Sequence, residues 1–241
     1  MNSSRTQQRL VLMSLLFLGA CTTPFPGHRH EGQGPDERLG VLMREHLEGR
    51  HQYRSEKERS RLGAELVDAD GTLRDLRQLH LEYPTHTPTL FALAALAFKK
   101  GTRGRASGYL DLLFEHEPRH PEAGILRSRM AIGEGNLPAS RRVLTQQIRY
   151  TPDHAGLQEA LSASAYLEGN LVEARASLAM AERLGAPAWR VAFNRGLIEE
   201  AAGHVAEALQ AYEAVMQAKP DCAAATSRWR GLRAQAGETI R

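Results

Sequence analysis

The signatures of several chemistries are missing from these 241 residues. There is no nucleophile elbow, no P-loop, no dinucleotide glycine fingerprint and no paired-histidine metalloprotease motif. The common hydrolase, nucleotide-binding and zinc-protease readings therefore have nothing to rest on, and no residue pattern asks for a metal or cofactor. Apolar runs are short as well. The stretch Leu10–Ala20 is too brief to span a bilayer stably, which takes about 20 residues. Cysteine is scarce, with only Cys21 and Cys222. Lysine is scarce too, at 4 against 27 arginines. The net charge is only +3 although the pI is near 9.0, and acids and bases are interspersed. Basic residues are not interleaved with aromatics as in RNA binders, so the sequence speaks against a nucleic-acid partner.

What the chain does have is a period. Gly101, Gly135, Gly169 and Gly203 are spaced 34 residues apart. A fixed step of that size over four units is the sign of a helical repeat array. Other residue classes keep the same step. Seven residues before each glycine stand Ala94, Ser128, Ser162 and Gly196, all small. Five before stand Leu96, Met130, Ser164 and Ile198. Five after stand Ala106, Ser140, Ala174 and Ala208, again small, and nine after stand Leu110, Leu144, Leu178 and Tyr212, all large. Seventeen after come Pro118, Pro152, Ala186 and Pro220, with Pro187 directly following the exception and Pro84 one step earlier. Glycine ends a helix in the left-handed conformation. Small residues let two antiparallel helices approach, large ones fill the space between hairpins, and proline stops the second helix. Each unit reads as helix, turn, helix, break.

This order of small residue, glycine, alanine, aromatic or leucine, and proline in 34 residues resembles the tetratricopeptide repeat (TPR). The fullest match runs from Trp189 to Pro220. Other units depart from it: Ser128 and Ser162 stand where Gly196 stands, and Gln147 is polar where alanine is usual. The resemblance implies an all-α, right-handed α-α superhelix. It would comprise about four full repeats at 87–220, a degenerate N-terminal repeat at 36–86 and a C-terminal capping helix and tail at 221–241. Gly71-Thr72 reads as a turn and helix start, and that helix should end at Pro84. Arg228, Arg230 and Arg233 should face solvent on the cap.

The first 20 residues are a different object. Arg5 and Arg9 precede the apolar run, as in an export signal. The end of that run, Leu18-Gly19-Ala20-Cys21, resembles a bacterial lipobox. The resemblance implies cleavage before Cys21, acylation of its sulfur and amino group, including palmitate, and an outer-membrane lipoprotein facing the periplasm. Thr22 rather than Asp follows the cysteine, which by the same resemblance favours the outer membrane. Residues 21–35, with three prolines and three glycines after the cysteine, read as a flexible tether. With Cys21 acylated, Cys222 has no partner for an intramolecular disulfide and reads as a packing residue.

Two histidine pairs have spacings that could suggest a site. His28 and His30 lie on the tether, a poor place for a metal. His116 and His120 flank Pro118 at a repeat boundary, where the helix should end, so they read as turn residues. Arg141-Arg142 reads as exposed.

In TPR proteins the first helix of each unit lines the concave side with its second, fifth, ninth and twelfth residues. By that resemblance the groove carries Pro88, Phe91, Ala95 and Phe98. The next two units give Glu122, Ile125, Arg129 and Ile132, then Gly156, Glu159, Ala163 and Tyr166. The last gives Arg190, Phe193, Leu197 and Glu200. The expected occupant is another envelope protein or a peptide of it. Arg190 and Asn194 only partly match the family's peptide-carboxylate clamp. The expectation is a non-enzymatic, lipid-anchored scaffold, with pilus-assembly or secretion machines as the context its architecture resembles. The alternative is a regulatory subunit of an envelope enzyme acting on peptidoglycan or polysaccharide.

Overall fold

The structure, a computed structural model, describes residues 34–51 and 69–238. Among the described residues there are eleven helices and no strand. The first two are α1 (Pro35–His51) and α2 (Ala69–Glu82). Four hairpins follow: α3 (Thr87–Lys99) with α4 (Arg103–His116), and α5 (Pro121–Gly133) with α6 (Leu137–Tyr150). Then come α7 (Ala155–Leu167) with α8 (Leu171–Arg183), and α9 (Ala188–Ala201) with α10 (Val205–Ala218). The last helix is α11 (Ala223–Glu238). The chain is an α-α superhelix of stacked hairpins.

The turns show why the ladder exists. The four ladder glycines have φ of +76°, +73°, +77° and +80°, where a side chain would be strained. Each closes its helix with the same pair of bonds. In the first unit the Gly101 N–H donates to the Phe98 carbonyl and the Thr102 N–H to the Ala97 carbonyl, both at 2.9 Å. This is the Schellman arrangement, which satisfies the last carbonyls of the helix. Asn136 and Asn170 then serve as N-caps, their side chains accepting from the Ala139 and Glu173 N–H groups at 3.1 and 3.2 Å.

Ala186, the exception to the proline ladder, has its own device. Gly185 takes φ +86° there, and the Ala186 N–H bonds the Ala181 carbonyl at 2.9 Å. A left-handed glycine ends α8 where the other second helices meet a proline.

The small and large positions meet in the core. Ala94, Ser128, Ser162 and Gly196 are buried, as are Ala106, Ser140, Ala174 and Ala208 opposite. Where they are serines, they are bonded. Ser128 Oγ lies 2.8 Å from Ser140 Oγ, which lies 3.2 Å from Ser164 Oγ, and Ser162 Oγ donates to the Ala174 carbonyl at 2.8 Å. Ser164, apolar in the other units, is thereby satisfied in a dry place. Gln147 is half-satisfied: its Nε2 donates to the Pro118 carbonyl at 2.8 Å and its side chain lies over Gly124, while its buried Oε1 has no hydrogen-bond partner among the described residues.

The ends differ in detail from expectation. α2 begins at Ala69, so Gly71 and Thr72 lie inside its first turn rather than forming a turn before it. Thr72 is buried, with its hydroxyl 3.2 Å from His46 Nδ1, a contact across α1 and α2 that holds it in the helix. The first helix starts at Pro35, one residue into the expected tether, as suits proline in a first helical turn. α2 ends two residues before Pro84, as its position predicts. α11 covers the last hairpin through Ala225 and Leu232, which pack with Tyr212 and Val215. Arg228, Arg230 and Arg233 are all exposed on it. The helix occupies the first-helix position of a further unit, and Gly237 continues the 34-residue ladder.

Packing also assigns an inner side. α5 packs on α7, and contacts also join α3 to α5 and α7 to α9, whereas successive second helices pack on one another less. The first helices are thus closer together and line the inside of the superhelix.

Candidate functional site

The groove expected from the first helices can be followed from α5 to α9. Three hollows share their walls. One of about 100 Å³ lies between α5 and α7 and is lined by Ile125, Arg129, Ile132, Gly156, Glu159 and Ala163, with Arg190 and Asn194 at its α9 side. A second, of about 320 Å³, continues past Arg129 and Glu159 to Trp189, Arg190 and Phe193. A third, of about 190 Å³, runs from Ala163 and Asn194 to Tyr166 and Leu197. Arg129, Glu159, Ala163 and Asn194 are common walls, so the three form one groove.

Gly156 is part of this shape. A methyl group there would lie 3.0 Å from the His154 ring and 3.2 Å from Ile125 Cδ1, so a side chain at the start of α7 would push these neighbours by a few tenths of an ångström.

Most charges in the groove are already matched. Glu159 is buried, and Arg190 holds it: Nε donates to Oε1 at 2.8 Å, while Nη2 lies 2.7 Å from Oε2 as an ion pair without hydrogen-bond geometry. Asn194 Nδ2 donates to the same Oε1 at 3.2 Å. Glu122 Oε1 lies 3.3 Å from His154 Nε2. Glu200 accepts from the Tyr212 hydroxyl at 2.6 Å and from Arg228 at 3.0 Å, tying α9, α10 and α11 together. Burial, and then the Glu200 carboxylate, hold the Tyr212 hydroxyl's pKa well above the usual phenol range. Glu199, just outside the groove, is pulled down to about 2 by the Arg175 guanidinium, with His204 assisting. Arg129 alone among the groove cations has no hydrogen bond or ion pair with any described residue.

The aromatics divide differently. Phe91 and Phe98 are half-buried and pack against the core of Leu90, Ala94 and Leu110, with the Phe91 ring 5.2 Å from the His120 ring. They line none of the three hollows. Tyr166 is half-buried, packs beside Ala165 and Ile198, and lines a hollow. Phe193 packs 6.0 Å from Tyr212 while lining the hollow beside Trp189. Trp189 and Asn194 were not on the expected groove positions. Trp189 opens the first turn of α9 under Lys219 Nζ, 4.2 Å from its ring.

Other marked residues have structural partners. His120 is the N-cap of α5, its Nδ1 accepting from the Ala123 N–H at 3.2 Å, while α4 has already ended at His116. Arg141 is not free: Glu168 and Glu173 both pair with it. Arg142 is exposed. Cys222 is half-buried beside the core of α10 and α11. Among the described residues no group of three metal-ligating side chains assembles, and no helix is long and apolar enough to cross a membrane. Cys21, His28 and His30 lie outside the described residues.

Known structures resolve what this arrangement is. The chain is similar to TTC0263, a thermophilic TPR protein of Thermus thermophilus, at 20% identity and a TM-score of 0.65 over 83% of this chain and 98% of that one. A tetratricopeptide repeat protein of Parabacteroides merdae matches at 16% identity and 0.62, over 95% and 80%. The fold is that of a TPR array. PilF of Pseudomonas aeruginosa shares it at 14% identity and 0.62, over 86% of this chain and 92% of PilF. No family model and no curated protein matches the sequence. In TPR terms, the groove walls are first-helix positions two, five, nine and twelve, joined by Trp189 at position one and Asn194 at position six.

Proposed function

We propose that this TPR array is a protein-interaction scaffold of the bacterial envelope, anchored by lipid on Cys21. The observation that carries the reading is the single groove along α5, α7 and α9, with apolar walls and one unmatched cation. Apolar and aromatic surface provides the contact energy of most interfaces, and arginine often anchors them. The lipobox-like Leu18-Gly19-Ala20-Cys21 supports attachment to the outer membrane, with the array held in the periplasm on the 21–35 tether. The role that fits is holding a subunit of a larger envelope assembly, such as a pilus or secretion machine.

In-cell crosslinking tests the groove. Tyr166→Ser with Leu197→Ser should reduce recovery of the crosslinked partner about tenfold, while Val172→Ser on the exposed face of α8 should not. Equal recovery from all three chains would remove the groove from the account. The anchor has its own test. Cys21→Ser should move the protein from the membrane fraction to the soluble one, because several acyl chains give stable attachment that protein contacts alone do not. A variant that stays with membranes through a high-salt wash would mean that the lipid is not the anchor.

A further inference from the structure

We infer that Arg129 reads an internal aspartate or glutamate side chain of the segment bound in the groove. The inference rests on the reading that the groove binds a partner. Its basis is a charge count at one place. The walls shared around Glu159 carry two guanidinium groups, Arg129 and Arg190, and one carboxylate. Arg190 and Asn194 are committed to Glu159, with Nε and Nδ2 at 2.8 and 3.2 Å from Oε1. Glu122, the acid on the groove side of α5, is engaged by His154 Nε2 at 3.3 Å. Arg129 is therefore left exposed and without a partner among the described residues. A guanidinium offers a planar fork that matches a carboxylate, and a hollow with low-dielectric walls strengthens that match.

The surroundings say more about the carboxylate. Ile125 and Ile132 flank Arg129 on its own helix, and the groove leaves it in two directions. One leads to Trp189 and Phe193, the other to Tyr166 and Leu197. A chain lying there can continue past Arg129 on both sides and place apolar residues in both branches. A chain terminus would instead need several donors for one carboxylate, and the neighbouring donors are taken by Glu159. The occupant that fits is an extended segment carrying a single acid between apolar residues.

Fluorescence anisotropy with the purified full chain tests this. The probes are three pools of short labelled peptides with Leu, Ile and Phe at the flanks. One has an internal Glu and a capped terminus, one has Gln in its place, and one has Gln with a free terminal carboxylate. The Glu pool should bind about tenfold tighter than either Gln pool, and the margin should shrink as salt is raised. Arg129→Met should abolish the margin by weakening the Glu pool more than the Gln pools, Arg129→Lys should keep part of it, and thermal melts should confirm that these exposed substitutions leave the fold intact. Equal binding of the Glu and capped Gln pools would overturn the inference. So would a margin that survives Arg129→Met, or a preference for the free terminus. Equal binding of the two capped pools that is lost in Leu197→Ser would sink the Arg129 role and leave the groove standing. No binding by any pool would sink both.

Discussion

Gly196→Ala is expected to destabilise the array by about 1–2 kcal/mol, read as a lower urea midpoint, although alanine is the better helix former. A methyl group at this position would sit 2.5 Å from Tyr212 Cε1, 2.7 Å from Cδ1 and 2.9 Å from Cζ. The ring cannot easily move aside. Tyr212 is fully buried, and its hydroxyl is tied to Glu200 at 2.6 Å. Alanine gains about 1 kcal/mol in a helix interior over glycine. Overpacking against a fixed ring costs about 1–3 kcal/mol, and contacts this short lie at the upper end, so the clash wins.

The other units say how to relieve it. In the same register Ala94 accompanies Leu110, Ser128 accompanies Leu144 and Ser162 accompanies Leu178. Only where the small residue is glycine is the large one a tyrosine. Gly196→Ala combined with Tyr212→Leu recreates the first unit's pair. Tyr212→Leu alone leaves a cavity and strips Glu200 of a donor. The double variant should be more stable than the sum of the single effects by about 1 kcal/mol or more, the range for residues in contact. Additive effects would show that the two positions are not packed together as the structure has them.

How much of this was legible depends on the kind of order. The ladder is readable because turn conformation and helix spacing each select a residue class at one position of every unit. A second ladder went unread: His86, His120 and His154 are also 34 residues apart. His120 and His154 each cap a first helix, with Nδ1 accepting from Ala123 and Leu157 N–H groups at 3.2 Å. His120 shares its register with His86 and His154, not with His116 four residues before it. Gln147 looked like a departure because its meaning lies in Gly124, 23 residues earlier, where a methyl group would meet Gln147 Cγ at 2.5 Å. The groove positions came from a register rule, and the rule gives direction but not depth. It could not tell that Phe91 and Phe98 are drawn into the core of their own unit while Ile125 and Tyr166 line hollows. Nor could it tell the two groove arginines apart. Arg129 and Arg190 differ only in that Glu159, on the helix between theirs, is gripped by one of them.

That difference makes Arg190→Ala the second large effect. Glu159 is buried, and without Arg190 it keeps only the Asn194 contact at 3.2 Å. Stranding a buried carboxylate costs several kcal/mol when the site is closed, but Arg190 is 37% exposed, so water screens the pair and about 2 kcal/mol is expected. Arg190→Lys should recover only part of this, since an ammonium cannot place one donor on Oε1 and a second cationic nitrogen beside Oε2. The binding readout should change as well. Arg129 lines the same hollows, so a released Glu159 becomes its competitor for an incoming acid, and the preference for the Glu pool should fall. Glu159→Gln should act in the opposite direction, because it leaves both arginines free, and the Glu pool should bind tighter than to the unaltered chain. Melts and anisotropy together check this. If Arg190→Ala leaves both the melting midpoint and the Glu preference unchanged, the Arg190–Glu159 pair does not hold the groove's charge balance, and Arg129 owes its freedom to something else.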